Sequence, residues 1–241
     1  MKITVCIDYD NLSKIQKLAG IRDVLQNIFI KSSDLFSEKN CVCEVRLYGG
    51  WYEGNSLSVL SQQLSVSIQS EFPEVFRIPI SNGHISVIKT TVELAVSLLE
   101  DPGHQLFNTY RRKGKPSNIR VEVPATIGCT SSACPLPLVK KVLQKGCCPA
   151  QGCSAGGNSL VYRHEQKLVD TMLTCDLLYL SNQQCDILFI VSADDDFLPP
   201  IRTLMLRGTK IIRIHPKMSN ALVPIKIGKQ TLIEIGIEQC K

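Results

Sequence analysis

The 241-residue sequence is short of aromatic residues, at 6%, so broad surfaces of stacked rings are not expected. It has no run of about 18 apolar residues, so no transmembrane helix is expected, nor a membrane among its partners. Twelve Pro and 15 Gly are too few for a collagen-like or low-complexity chain. The opening apolar run, 3–7, stops at Asp8. A secretory leader needs roughly 7–15 apolar residues, so a cytoplasmic protein is expected. Against these absences stand 44% hydrophobic and 20% charged residues, a balance that suits a globular chain with a sizeable core and argues against wholesale disorder.

Cysteine is abundant. An odd count of 11 cannot pair fully within one monomer, and the expected compartment is reducing. Cys129, Cys134, Cys147, Cys148 and Cys153 fall within 25 residues. Cys129-x4-Cys134 and Cys148-x4-Cys153 form two pairs separated by 13 residues, with Cys147 as an alternative ligand. Thiolate pairs on tight loops suit a tetrahedral structural Zn²⁺, and the glycines and prolines around them supply the turns. Reduced free thiols, disulfides and an iron–sulfur cluster are the alternatives.

The net charge of +5 is unevenly laid out. Residues 111–120 hold Arg111, Arg112, Lys113, Lys115 and Arg120 without an acid, and residues 197–233 hold seven Lys or Arg, Arg213 among them, again without an acid. Such stretches can line a surface for phosphate-bearing partners; ordinary solvated side chains are the plain alternative.

Apolar runs at 3–8, 41–48, 75–80, 186–191 and 210–214 predict strands, and a further strand is expected at 119–123. Helical spacing predicts helices over 13–31, 55–70, 163–180 and 197–207, a short one over 136–144, and one in the second half of 85–100. Residues 101–118 read as a polar loop. Strands alternating with helices imply an α/β fold around a parallel, doubly wound sheet. Segment 124–158, rich in Pro, Gly, Cys and Ser, interrupts the rhythm and reads as an inserted Cys-rich module, leaving 1–123 and 159–241 as the main domain.

In such sheets, sites form beyond the carboxyl ends of the strands. Asp8 and Asp10 follow the first strand, and Asp194, Asp195 and Asp196 follow the one at 186–191. Carboxylates gathered there repel unless protonated or bridged by a hard cation such as Mg²⁺ or Mn²⁺. Each Asp could instead simply cap the helix that follows it, a role that suits Asp195 or Asp196. Asp170, three residues after Lys167 on the expected helix, is a further candidate; a surface Lys–Asp pair is its plainer reading.

Ile7-Asp8-Tyr9-Asp10-Asn11-Leu12, His164 through Asp170, and Ile190-Val191-Ser192-Ala193-Asp194-Asp195-Asp196-Phe197 together resemble the motifs of NYN-domain proteins in the PIN-like nuclease superfamily. The resemblance covers about 3–52 and 160–216. It implies a Rossmann-like three-layer PIN fold and a Mg²⁺- or Mn²⁺-dependent ribonuclease. Asp8, Asp170, Asp194 and Asp196 would form its acidic cluster, Asn11 would organise the first loop, Ser192 would orient a carboxylate or water, and Lys167 would be a supporting cation. Ala193 stands where the family has glycine. RNA would then meet Arg111, Arg112, Lys113, Lys115 and Lys167, and the Cys-rich module is a candidate surface for RNA or a protein partner. Two alternatives stand beside this. Asp8-Tyr9-Asp10 also resembles the nucleophile and acid of haloacid-dehalogenase-type phosphatases, and a non-catalytic RNA-binding adaptor would rely on the Cys-rich module alone.

Overall fold

The computed structural model describes residues 1–36, 40–80, 83–114, 119–122, 124–128, 130–183, 185–218 and 224–238. In chain order its elements are β1 (Lys2–Asp8), α1 (Lys14–Ala19), α2 (Ile21–Lys31), β2 (Asn40–Tyr48), β3 (Tyr52–Glu53), β4 (Ser56–Leu57), α3 (Val59–Glu71), β5 (Glu74–Pro79), β6 (Ile85–Leu94) and β7 (Tyr110–Lys113). There follow α4 (Leu136–Lys145), α5 (Gly157–Leu160), β8 (Arg163–Gln166), α6 (Val169–Leu180), β9 (Ile187–Val191), α7 (Leu198–Leu206), β10 (Ile211–His215), β11 (Ile225–Ile227) and β12 (Gln230–Gly236). The chain divides into two compact units, Met1–Thr109 with Leu168–Lys241, and Tyr110–Lys167. The second unit takes in the Cys-rich segment 124–158 together with the flanking strands β7 and β8. No helix among the described residues is long and apolar enough to cross a membrane.

The first unit is a mixed α/β body built on one sheet of order β11-β12-β10-β9-β1-β2-β6-β5. Its middle is parallel, and antiparallel pairs close it at β5–β6 and β11–β12. The continuous apolar runs of β1 and β9 follow from burial on both faces. Ile3, Val5 and Ile7 join Val24, Leu25 and Ile28 of α2 in one core, while Cys6, Leu188 and Ile190 join Leu173 and Leu177 of α6 and Ile201 and Leu204 of α7 in the other. At the end of β2, Gly49 passes the only tryptophan; a Cβ there would lie 2.7 Å from the indole of Trp51. Trp51 is 1% exposed and donates its Nε1–H to the Leu47 carbonyl at 3.0 Å.

Several expectations are corrected. The helix over 13–31 is broken by Gly20, whose φ of +94° no L-residue readily adopts. The second half of 85–100 is not helical: β6 runs to Leu94, with Ser86, Ile88 and Thr90 buried in alternation and parallel to β2. The polar loop at 101–118 contains β7. Residues 119–122 carry no strand. The helix over 163–180 begins only at Val169, because 163–166 pair as β8 with β7 and Leu168 turns the chain at φ +68°. The edge hairpin β11–β12 was not anticipated.

A charge lies inside the sheet-and-helix sandwich. Arg46 of β2 donates Nη1–H to Asp176 Oδ2 of α6 at 2.8 Å and Nη2–H to the Ser97 carbonyl, and its Nε lies 3.0 Å from Glu93. Asp176 also accepts from the Tyr48 hydroxyl and the Leu99 N–H, each at 2.8 Å. A buried pair of this kind adds little net stability but is costly to break from one side. Asp176→Ala should therefore lower the unfolding free energy by about 3–5 kcal/mol in urea titrations. Glu93→Ala, whose side chain is 63% exposed, should cost less than about 1 kcal/mol.

Candidate functional site

Parallel pairing with Ile7 opposite Val191 brings the chain ends Asp8 and Ser192 out of the sheet side by side. The Ser192 hydroxyl donates to Asp8 Oδ2 at 3.4 Å, and Asn11 Nδ2 donates to the same oxygen. Asp8 Oδ1 accepts the Asp10 N–H at 3.2 Å, capping the single turn Tyr9–Asn11. Asn11 Oδ1 in turn accepts the Ala193 N–H at 3.2 Å, tying the two strand-end loops together. The second loop is built alike. Ser192 Oγ accepts the Asp194 N–H at 3.0 Å, and Asp194 Oδ1 caps the turn Asp195–Phe197 by accepting the Asp196 N–H at 3.0 Å. Asp194, rather than Asp195 or Asp196, is thus the cap. The non-glycine residues with positive φ among the described residues are Asn108 and Leu168, so Ala193 stands without the strain a glycine position would impose.

α6 precedes β9 and runs back against it, which sets its N-terminus, with Asp170, at the carboxyl rim of the sheet. Asp8 is 4% exposed. Burial, offset by the Asn11 hydrogen bond and reinforced by the charges of Asp170 and Asp10, pushes its carboxyl up to about 6. Partial desolvation, then the charges of Asp194 and Asp196, hold Asp170 above the usual carboxylate range. Asp8, Asp170, Asp194 and Asp196 therefore share one electrostatic neighbourhood. Among the described residues none of the four forms an ion pair, whereas Asp10 pairs with Lys17 at 3.5 Å and Asp195 with Arg213 at 3.0 Å. Also among the described residues, no group of three or more His, Cys, Asp or Glu could hold a metal ion as it stands.

Beneath the acidic loop lies Arg213, 2% exposed on β10. It donates Nη2–H to the Asp194 carbonyl at 2.9 Å and Nε–H to the Ser192 carbonyl at 3.4 Å, and it pairs through Nη1 with Glu234 of β12 at 3.3 Å. Glu234 also meets His215 Nε2 at 3.0 Å. In the sequence alone, Arg213 falls within an acid-free basic run, which suggests a surface position. The missed signal is a charge inside each of two apolar strands, 211–215 and 230–236, which pair with Arg213 opposite Glu234.

The remaining expected residues belong to the second unit. Lys167 precedes α6 instead of lying on it, and its charge acts on Glu165. Arg111 and Lys113 reach Glu165 at 2.9 and 3.5 Å, and Arg163 reaches it at 2.9 Å. Arg112 turns away and lies over the Tyr162 ring, 3.6 Å from its centroid. Lys115 and Cys129 lie outside the described residues. α4 ends at Gly146, where the Gly157 N–H returns to the Gly146 carbonyl at 2.6 Å, too close for any side chain on Gly157. The loop so closed brings Cys148 and Cys153 into thiol contact. The Ala155 N–H and the Cys148 thiol hold the Cys153 thiol below its ordinary range. Cys134 is half-buried at the start of α4, and no third Cys or His among the described residues completes a site. Residues 110–167 carry ten Lys and Arg against two Asp and Glu, whereas the first unit is net acidic.

Compared with known proteins, the chain matches no family model, no curated protein and no solved structure.

The raised carboxyl of Asp8 makes stability depend on pH. Its folded value of about 6 exceeds the unfolded value near 3.8, so the folded state holds the extra proton between them. The stability it contributes is complete below about pH 4 and is lost as pH rises through about 6. In thermal melts, Asp8→Asn should gain on the wild type across this window and show a constant difference above it. A difference that does not change with pH would contradict the burial of this charge.

Proposed function

We propose that the chain is a divalent-metal-dependent endoribonuclease whose ion is held by Asp8, Asp170, Asp194 and Asp196. The supporting observation is selective. Two acids at the strand ends, Asp10 and Asp195, have cations of their own, while the four carboxylates that resemble the NYN motif are linked by mutual electrostatic influence through Asp170 and form no ion pair among the described residues. An all-oxygen donor set of this kind suits Mg²⁺ or Mn²⁺ rather than a thiophilic ion. When bound, such an ion lowers the pKa of water and stabilises the developing charge of a leaving oxygen. The protein's own part is positioning. Asn11 and Ser192 fix Asp8, Asp194 is locked by its cap, and Arg213 grips the two loop carbonyls from below. RNA as substrate is supported by the excess of Lys and Arg over 110–167.

The Cys-rich module is proposed to carry structural Zn²⁺ on Cys129, Cys134, Cys148 and Cys153. The contact of Cys148 with Cys153 supplies one half of such a site, and the lowered Cys153 thiol favours the thiolate a metal needs. We take the setting to be cytoplasmic, since none of the nine described cysteines is in a disulfide.

The test is a cleavage panel on end-labelled RNA with Mg²⁺, Mn²⁺ or EDTA. Wild type should cut with either ion, and added Mn²⁺ should restore activity after chelation. Asp8→Asn and Asp194→Asn should each lose at least about a hundredfold in rate while keeping their circular dichroism. Wild-type rates in both variants would defeat the proposal.

A further inference from the structure

The second unit carries a feature that nuclease chemistry at the acidic rim does not use. β7 and β8 form an antiparallel ribbon in register Tyr110–Gln166, Arg111–Glu165, Arg112–His164 and Lys113–Arg163. Side chains alternate between the faces of a strand, so the ribbon sorts its residues by chemistry. One face holds Arg111, Lys113, Arg163 and Glu165, and there the three cations converge on the single carboxylate. The other holds Tyr110, Arg112, His164 and Gln166, joined by Tyr162 two residues before His164. The His164 ring lies 5.0 Å from that of Tyr110 and 5.6 Å from that of Tyr162, and the Arg112 guanidinium covers Tyr162 at 3.6 Å. Arg112 otherwise makes only a 3.4 Å contact to the Ser159 carbonyl among the described residues. Arg112 and His164 are exposed, and Tyr162 is 47% exposed. In a chain poor in aromatics, three rings and a guanidinium thus stand in a row, with Tyr110 half-buried and the other three exposed.

We infer that the Tyr110–Arg112–His164–Tyr162 face is a stacking platform for the bases of single-stranded RNA. Rings and a flat guanidinium offer π-faces that accept any unpaired base, and the excess of ten basic over two acidic residues in this unit attracts the backbone. A duplex keeps its base faces covered and gains little from such a surface. Only the choice of RNA over single-stranded DNA rests on the ribonuclease reading.

The experiment is fluorescence anisotropy with labelled oligouridine, on the Asp194→Asn chain without added divalent ion so that the RNA stays whole. Tyr162→Ala, His164→Ala and Arg112→Ala should each weaken binding about tenfold. Tyr162→Phe, which keeps the ring, should stay within about twofold. An abasic oligomer of equal length should bind the parent more weakly and should not distinguish the variants. Photocrosslinking of 4-thiouridine RNA to the unsubstituted chain, mapped by mass spectrometry, should mark residues 110, 162 or 164; this reading needs no variant to fold. Unchanged affinity in all three alanine variants, equal binding of the abasic oligomer, crosslinks confined to other segments, or no RNA binding at all would each overturn the platform. Cleavage that ignores these variants would sink the platform and leave the nuclease standing. Ribbon-dependent binding with no cleavage under any ion would do the reverse.

Discussion

A carboxylate withheld from water, that of Asp8, organises the rim of the first unit. Its position follows from β1 lying at the centre of the sheet, with β2 on one side and β9 on the other, so the residue that ends β1 emerges between two loops. The hydrogen bonds that make its burial tolerable are also those that join the loops: Asn11 and Ser192 both donate to Asp8, and Asn11 reaches across to Ala193. Capping and site building are therefore one arrangement here. Asp8 and Asp194 each hold a short turn with one oxygen, and the shape of those turns sets where the carboxylates stand.

Runs such as 3–7 and 187–191 announce themselves as central strands because both of their faces are apolar, a pattern no helix surface produces. The acids that follow them are equally plain, since a strand end is where a charge regains access to water. Other elements were illegible for definite reasons. Arg163, Glu165 and Gln166 are good helix formers, and only pairing with β7, distant in sequence, makes this segment a strand. In β6 the buried positions include Ser86 and Thr90, polar residues that hide the alternation. The β11–β12 hairpin was in principle readable from Ile225-Lys226-Ile227 and the turn at Gly228, whose φ is +61°. Arg213 was hidden for the opposite reason: a lone arginine suggests solvent, and its burial is intelligible only with Glu234 across the ladder.

Charge is partitioned along the chain. The unit with the acidic rim is net negative, while 110–167 is strongly positive despite its small size. A single net charge of +5 conceals this, because the excess acid of the first unit offsets part of the second unit's positive charge. Within the basic unit a second sorting occurs, as one face of the β7–β8 ribbon neutralises its cations on Glu165 and the other lays a guanidinium flat on a ring. Aromatics are sparse in the chain at large, yet at this ribbon the ring of His164 lies 5.0 Å from that of Tyr110 and 5.6 Å from that of Tyr162.

The seat of Trp51 beneath Gly49 has one more consequence. Its indole lies 5.6 Å from the ring of Tyr9, the immediate neighbour of Asp8. With one tryptophan in the chain, emission excited selectively from tryptophan comes from a single buried fluorophore whose ring neighbours Tyr9. Its wavelength and intensity report the local polarity there without any attached dye.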